Sequence, residues 1–263
     1  MKTTRALLVT VASFCVAASA TAQTADTGFL NRSVVVEGAD YAYQVYVPRG
    51  YRPSEASPLI LALHGGGERG GDGQLQTEVG LGRALRRHAD RYPAIVVFPQ
   101  TPLMETWQDL GARVAVAALD KALLEFSVDR SRVYLTGLSM GGNGSWYLAY
   151  RHADRFAAAV VVCGWISERR NAAGTAYPGI APSSAPDALA DVARRVSSLP
   201  IWLLHGSADQ VVPVEESRRM YAALKAVDAD VQYTELPGIG HNAWDPAYDL
   251  PELPAWLFKQ RRP

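Results

Sequence analysis

Hydrophobic positions in this chain come in short continuous runs rather than long stripes. Leu59-Ile60-Leu61-Ala62-Leu63 and Ile95-Val96-Val97-Phe98 are apolar at every position, the pattern of parallel strands covered on both faces. Val34-Val35-Val36 and Tyr43-Gln44-Val45-Tyr46-Val47 alternate like an antiparallel pair opening the sheet. A helix is predicted from about Ala112 to Phe126, then a strand at Arg132-Val133-Tyr134-Leu135-Thr136 and a helix from Gly142 to Tyr150. The run Ala157–Cys163 reads as the next strand, followed by Ile201–Leu204, a helix over Val214–Val227, a strand at Val231–Thr234 and a terminal helix near Leu253–Gln260. Strands alternating with helices predict an α/β fold, a doubly wound, mostly parallel sheet in one domain. The segment Ser167–Pro186, rich in Ala, Gly, Pro and Ser, is the one candidate insertion. It lacks the amphipathic period of an interfacial helix, so little or no lid is expected.

The first 22 residues stand apart. Lys2 and Arg5 precede an apolar run from Ala6 to Ala18, and Ala20-Thr21-Ala22 follows. That is the n-region, h-region and A-x-A site of a cleavable export signal, which leaves 23–263 as the folded domain. The apolar run is too short and too rich in Ser and Thr for a membrane anchor. Phe14 precedes Cys15 where a lipoprotein signal needs a small residue. The expected location is the periplasm or the medium. Lys plus Arg equals Asp plus Glu at 26 each, and no basic stripe or charge run points to nucleic acid or an anionic membrane. Without Cys15 the exported chain keeps Cys163 alone, at the end of an apolar run, where burial is the natural reading.

The chemistry begins at Gly137-Leu138-Ser139-Met140-Gly141, set between a strand and a helix. G-x-S-x-G in that setting is a nucleophile elbow, whose tight turn holds the serine hydroxyl above the sheet edge. A serine needs a base. His241, in Pro237-Gly238-Ile239-Gly240-His241-Asn242 after the last predicted strand, is placed to be it. Asp209, in the loop after Ile201–Leu204, is the carboxylate expected to orient that base. Asp187 and Asp191 fall in a helix-forming stretch, and Asp245 is too near His241 in sequence to approach it from behind. The chain order Ser139, Asp209, His241 is that of an α/β-hydrolase sheet. An oxyanion needs two N–H donors. The Met140 amide supplies one, and the turn His64-Gly65-Gly66-Gly67 supplies the other, with Gly66 first and Gly67 next.

The other histidines have plainer roles. His64 and His205 each end a strand in Leu-His-Gly and are expected to bond backbone there. His88 lies among charged residues, and His152 at a helix end, where the helix dipole suits a partly positive ring. No histidine pair has helix-face spacing and no thiolates cluster, so no metal is expected. Gly65-Gly66-Gly67-Glu68-Arg69-Gly70 also fits G-x-G-x-x-G, but Gly71-Asp72-Gly73 prolongs the loop where a dinucleotide site would open a helix. No dinucleotide is expected there.

Leu63-His64-Gly65-Gly66-Gly67-Glu68-Arg69-Gly70, Pro99-Gln100, Val133 through Gly142, and Gly240-His241-Asn242-Ala243-Trp244-Asp245 together resemble the α/β-hydrolase esterases. The resemblance is to the branch of predicted peptidases and polyhydroxybutyrate-depolymerase-like esterases related to feruloyl and acetylxylan esterases. It implies a cofactor-free serine carboxylesterase with Ser139, Asp209 and His241 as its triad. Trp107, Trp165 and Trp244 fall on loops at the catalytic edge, where they would either form an aromatic rim for substrate or pack the loops. The expected partner is a small or polymer-borne ester with a short or aromatic acyl group. A serine peptidase and a catalytically silent binding module are the competing readings.

Overall fold

The computed structural model describes residues 26–170, 174, 176–182 and 184–262; the predicted export signal lies outside them. Strands β1 (Gly28–Val36) and β2 (Ala39–Val47) form the antiparallel pair that opens the chain. β3 (Ser57–Leu63), helix α1 (Gly80–His88), β4 (Ile95–Pro99), α2 (Leu110–Glu125), β5 (Val128–Leu138) and α3 (Met140–His152) follow. Next come β6 (Ala158–Val162), the two-residue strands β7 (Arg169–Arg170) and β8 (Ala176–Tyr177), and α4 (Ala188–Arg195). β9 (Ile201–Gly206), α5 (Glu215–Lys225), β10 (Val231–Leu236), α6 (Trp244–Asp249) and α7 (Glu252–Leu257) complete the order.

The main sheet runs β1-β2-β4-β3-β5-β6-β9-β10. β2 pairs antiparallel with β4, and from β4 onward every neighbouring pair is parallel. The continuous apolar runs have the cause the sequence suggests. In β3, Leu59, Leu61 and Leu63 enter the core layer under α2, α3 and α5, while Ile60 and Ala62 enter the layer under α1, α6 and α7. Both faces are covered, so no position of the strand has a reason to be polar.

Two helices depart from expectation. Helix α1 escapes the sequence reading because it is short and carries two glycines; Leu81, Ala84 and Leu85 nonetheless give it an apolar face. The predicted terminal helix forms as α7, and a further short helix that the sequence reading did not include, α6, precedes it, with Pro251 between the two. The insertion, for which no helix was expected, carries the β7–β8 pair, with Arg169 opposite Tyr177.

Parallel pairing puts the carboxyl ends of β3, β5, β6, β9 and β10 along one edge. The loops after these strands carry the glycine turn, Ser139, Cys163, Asp209 and His241. Residues distant in the chain therefore share one rim, as loops at the carboxyl ends of an open α/β sheet do. Among the described residues no helix is long and apolar enough to cross a membrane.

Candidate active site

Ser139 lies between the last residue of β5 and the first of α3, with φ 52° and ψ −115°. Only a crowded turn holds a non-glycine residue there. Its glycines are sterically required: a Cβ on Gly137 would sit 2.1 Å from the Gly141 carbonyl oxygen, and one on Gly141 would sit 2.1 Å from that of Leu63. The Ser139 amide donates to the Val162 carbonyl of β6 at 2.9 Å, and its carbonyl accepts the Asn143 amide at 3.0 Å. The hydroxyl makes no cap to its own helix. It faces His241 instead, with Oγ 2.9 Å from Nε2.

His241 is brought there by two loops joined through backbone. A Cβ on Gly206 would sit 2.3 Å from the Ile239 carbonyl oxygen, so glycine at the end of β9 admits the His241 loop. The Ser207 amide donates to Leu236, the Ala208 amide to Ile239, and the Gly238 amide to Ser207 Oγ. Asp209 on the first loop accepts from His241 Nδ1 at 2.7 Å through Oδ2. Its Oδ1 accepts the amides of Val211 and Val212 at 2.8 and 2.9 Å. The carboxylate is fully buried. Burial alone would raise its pKa, but hydrogen bonds from His205, His241, Val212 and Val211 outweigh burial and hold it far below the ordinary carboxylate range. These bonds favour the anion and fix its direction.

The glycine turn lies beside the serine. A Cβ on Gly65 would sit 3.7 Å from Ser139 Cβ. Gly66 and Gly67 open a 3-10 turn, Gly66–Glu68. Arg69 locks that turn by donating Nε to the Gly66 carbonyl at 3.0 Å and Nη1 to the Leu103 carbonyl at 3.2 Å. Gln100 holds the loop beyond it, accepting the Gly73 amide and donating to the Glu68 carbonyl and Asp72. No α-helix opens at these glycines, the first being α1 at Gly80, whereas a dinucleotide cradle opens one directly. Met140 begins α3, so its amide is one of the helix-start donors with no acceptor inside the helix.

His64 and His205 bond backbone, as their strand-end positions suggest. His64 Nδ1 lies 2.6 Å from the Gly65 carbonyl, and Nε2 accepts the Thr101 amide at 3.0 Å. Burial pushes the ring down to about 4, helped by Arg69 and opposed by the Gly65 bond. His205 does more than expected: Nε2 lies 3.0 Å from the Val212 carbonyl and also 3.2 Å from Asp209 Oδ2. The sequence reading missed that second contact, whose only trace was the repeated Leu-His-Gly. His152 departs from its expectation, since burial and then Arg155 push it down rather than toward a positive ring. Cys163 is buried, and burial followed by Asp209 pushes its thiol up to about 12. Ligand atoms of Cys163, His205 and Asp209 approach within 4.8 Å. The carboxylate lone pairs are already turned to N–H groups, so this is no metal donor set.

The tryptophans separate. Trp107 is fully buried, donating to the His64 carbonyl at 2.8 Å with its ring edge-on to that imidazole. The aromatic-rim expectation is corrected there. Trp165 is also buried, against Tyr177 and under Arg169, and packs the hairpin rather than facing substrate. Loop position placed both at the catalytic edge; side-chain direction put both inward. Trp244 alone of the three is partly exposed, its ring edge-to-face with His241 at 5.3 Å.

The sequence profile of the prolyl oligopeptidase family covers residues 104–257, more than half of the chain. The bifunctional acetylxylan esterase/xylanase XynS20E of Neocallimastix patriciarum is 28% identical over 185 residues, which is 68% of this chain and 23% of that one. A solved thermostable esterase superposes with a TM-score of 0.75 at 30% identity, covering 89% of this chain and 63% of its own. A ferulic acid esterase structure shares the fold with a TM-score of 0.68 at 17% identity, over 88% of this chain and 97% of its own. The chain thus spans about a quarter of that curated relative and under two thirds of the thermostable esterase.

Proposed function

Given that the chain belongs to the prolyl oligopeptidase family of α/β-hydrolases, we propose that it is a serine carboxylesterase working through an acyl-enzyme. The observation that carries this reading is the unbroken line from Ser139 Oγ to His241 Nε2 at 2.9 Å and from His241 Nδ1 to Asp209 Oδ2 at 2.7 Å. Ser139 attacks the ester carbonyl as His241 Nε2 takes its proton, and Asp209 holds the imidazolium that results. The Met140 amide and that of Gly66 or Gly67 donate to the oxyanion. His241 returns the proton to the departing alcohol oxygen, and the C–O bond breaks to leave the acyl group on Ser139. A water activated by His241 then releases the acid.

The substrate class we assign is an ester with a short or aromatic acyl group, free or carried on a polymer. Three features favour it: an insertion that is a hairpin and not a lid helix, the partly exposed Trp244 beside His241, and similarity to an acetylxylan esterase. Residues 1–22 we read as an export signal and 23–263 as the catalytic domain, acting outside the cytoplasm. Peptide bond cleavage, which the family's name keeps in view, is the second reading.

Hydrolysis of p-nitrophenyl acetate and butyrate, methyl ferulate, acetylated xylan and a polyester film, set against peptide substrates, tests the proposal. Esters are expected to be turned over and peptides not. A clear preference for peptides would reverse the assignment. No turnover of any of them, with no labelling by a fluorophosphonate, would favour a binding module that keeps the fold.

A further inference from the structure

The reaction above uses His241 and leaves His205 without a part. Yet His205 is fully buried at the end of β9, one residue before the loop that carries Asp209. Its twin at the end of β3 shows what a merely structural histidine looks like here. His64 Nε2 receives an amide hydrogen from Thr101, so its own hydrogen is on Nδ1 and goes to the Gly65 carbonyl. That ring ties two backbone segments and touches no catalytic side chain.

His205 is turned the other way. Its Nε2 faces two acceptors, the Val212 carbonyl at 3.0 Å and Asp209 Oδ2 at 3.2 Å, so the hydrogen is on Nε2. Its Nδ1 lies 2.7 Å from Ser217 Oγ, on α5. Asp209 Oδ2 therefore lies between two imidazoles, His241 at 2.7 Å and His205 at 3.2 Å, while two amides hold Oδ1. Pinning Oδ1 fixes one end of the carboxylate. The end that addresses His241 also meets the His205 N–H, so the direction of Oδ2 does not rest on the Oδ1 amides alone. The same N–H meets the carbonyl of Val212, so the ring also ties down the turn that delivers the two amides.

We propose that His205 is a positioning residue that keeps Asp209 Oδ2 in line with His241 Nδ1, with Ser217 holding the His205 ring from behind. The line of contact then runs Ser139, His241, Asp209, His205, Ser217, from the reacting hydroxyl to a helix on the sheet's face. The inference rests on the triad reading above. A second-layer partner of this kind acts on the rate by orientation, and it touches no part of the substrate.

Steady-state kinetics on p-nitrophenyl acetate test it with His205→Leu, His205→Gln and Ser217→Ala, alone and in an Asp209→Asn background, with Ser139→Ala alongside. His205→Leu is expected to lower kcat by about 10- to 100-fold with KM within about twofold. Ser217→Ala should lower kcat by about three- to tenfold. His205→Gln keeps an N–H for Oδ2 and an oxygen for Ser217, and should restore most of the rate. Once Asp209 is asparagine, His205→Leu and Ser217→Ala should each cost less than about twofold more, because the group they act through is gone. Losses that multiply in that background, or full kcat in His205→Leu and Ser217→Ala, would overturn the inference. Should His205→Leu fail to fold, Ser217→Ala, which removes one oxygen, decides alone. A dead Ser139→Ala beside unaffected His205 and Ser217 variants sinks only this inference; an active Ser139→Ala sinks the triad reading beneath it.

Discussion

Lowering the pH from 7.5 to 4.5 should unfold this protein more readily, and His64 is the main cause within the structure. Its Nε2 is occupied by the Thr101 amide hydrogen, so a proton can enter only by breaking that bond. Burial and the nearby Arg69 both oppose the charge, and the ring falls from 6.5 to about 4. The unfolded chain therefore binds this proton near pH 6.5, and the folded chain does not until about pH 4. The contribution of His64 is whole above 6.5, shrinks as pH drops toward 4 and changes no further below that. The full depression corresponds to about 3 kcal/mol, and about 2 kcal/mol is lost by pH 5. Urea unfolding followed by tryptophan fluorescence at pH 7.5, 6.5, 5.5 and 4.5 measures it, on the wild type and on His64→Gln. The glutamine oxygen can still accept from Thr101 but takes no proton in this range. His152 is pushed down too, and Asp209 and Glu235 lose their contributions only as pH falls below the ordinary carboxylate values. All three are common to both proteins and cancel in the comparison. The wild-type free energy should fall between pH 7.5 and 4.5 by about 2–3 kcal/mol more than that of the variant. Parallel curves would show that His64 titrates as it would in water, and the argument from its burial would fail.

Other expectations are simpler. Gly137→Ala places a methyl 2.1 Å from the Gly141 carbonyl oxygen, and should cost on the order of 3 kcal/mol or more in thermal or urea unfolding, with loss of esterase activity even where soluble protein is recovered. Trp107→Phe removes the hydrogen bond to the buried His64 carbonyl and should cost about 1–3 kcal/mol in the same unfolding assay. Cys163 is buried with its thiol pushed up to about 12, so at pH 8 a disulfide reagent such as DTNB should react at least about a hundredfold faster in urea than with the native protein.

Much of the architecture is legible because single residues leave few alternatives. Leu59–Leu63 can be apolar throughout only where both faces of the strand are covered, and both are. Gly137 and Gly141 are legible because a side chain at either would strike backbone within 2.1 Å. Asp209 and His241 could be named from their loops after strands, and their side chains and that of Ser139 lie in contact. What escaped depends on direction in space. Trp107 and Trp165 lie on edge loops and turn inward, a choice made by packing partners such as His64 and Tyr177 that are remote in sequence. The contact of His205 with Asp209 arises because the turn after β9 folds back over its own strand end, and four residues of separation do not reveal it. The order β1-β2-β4-β3 comes from crossovers, which no local pattern records.

The proposed reaction requires Ser139 as its nucleophile, and covalent trapping asks about it directly. Wild-type protein treated with a fluorophosphonate and digested for mass spectrometry should carry one adduct, on the peptide containing Ser139. The adduct should vanish in Ser139→Ala and form much more slowly in His241→Gln. An unlabelled Ser139 in protein that still hydrolyses esters, or an adduct on another residue, would contradict it.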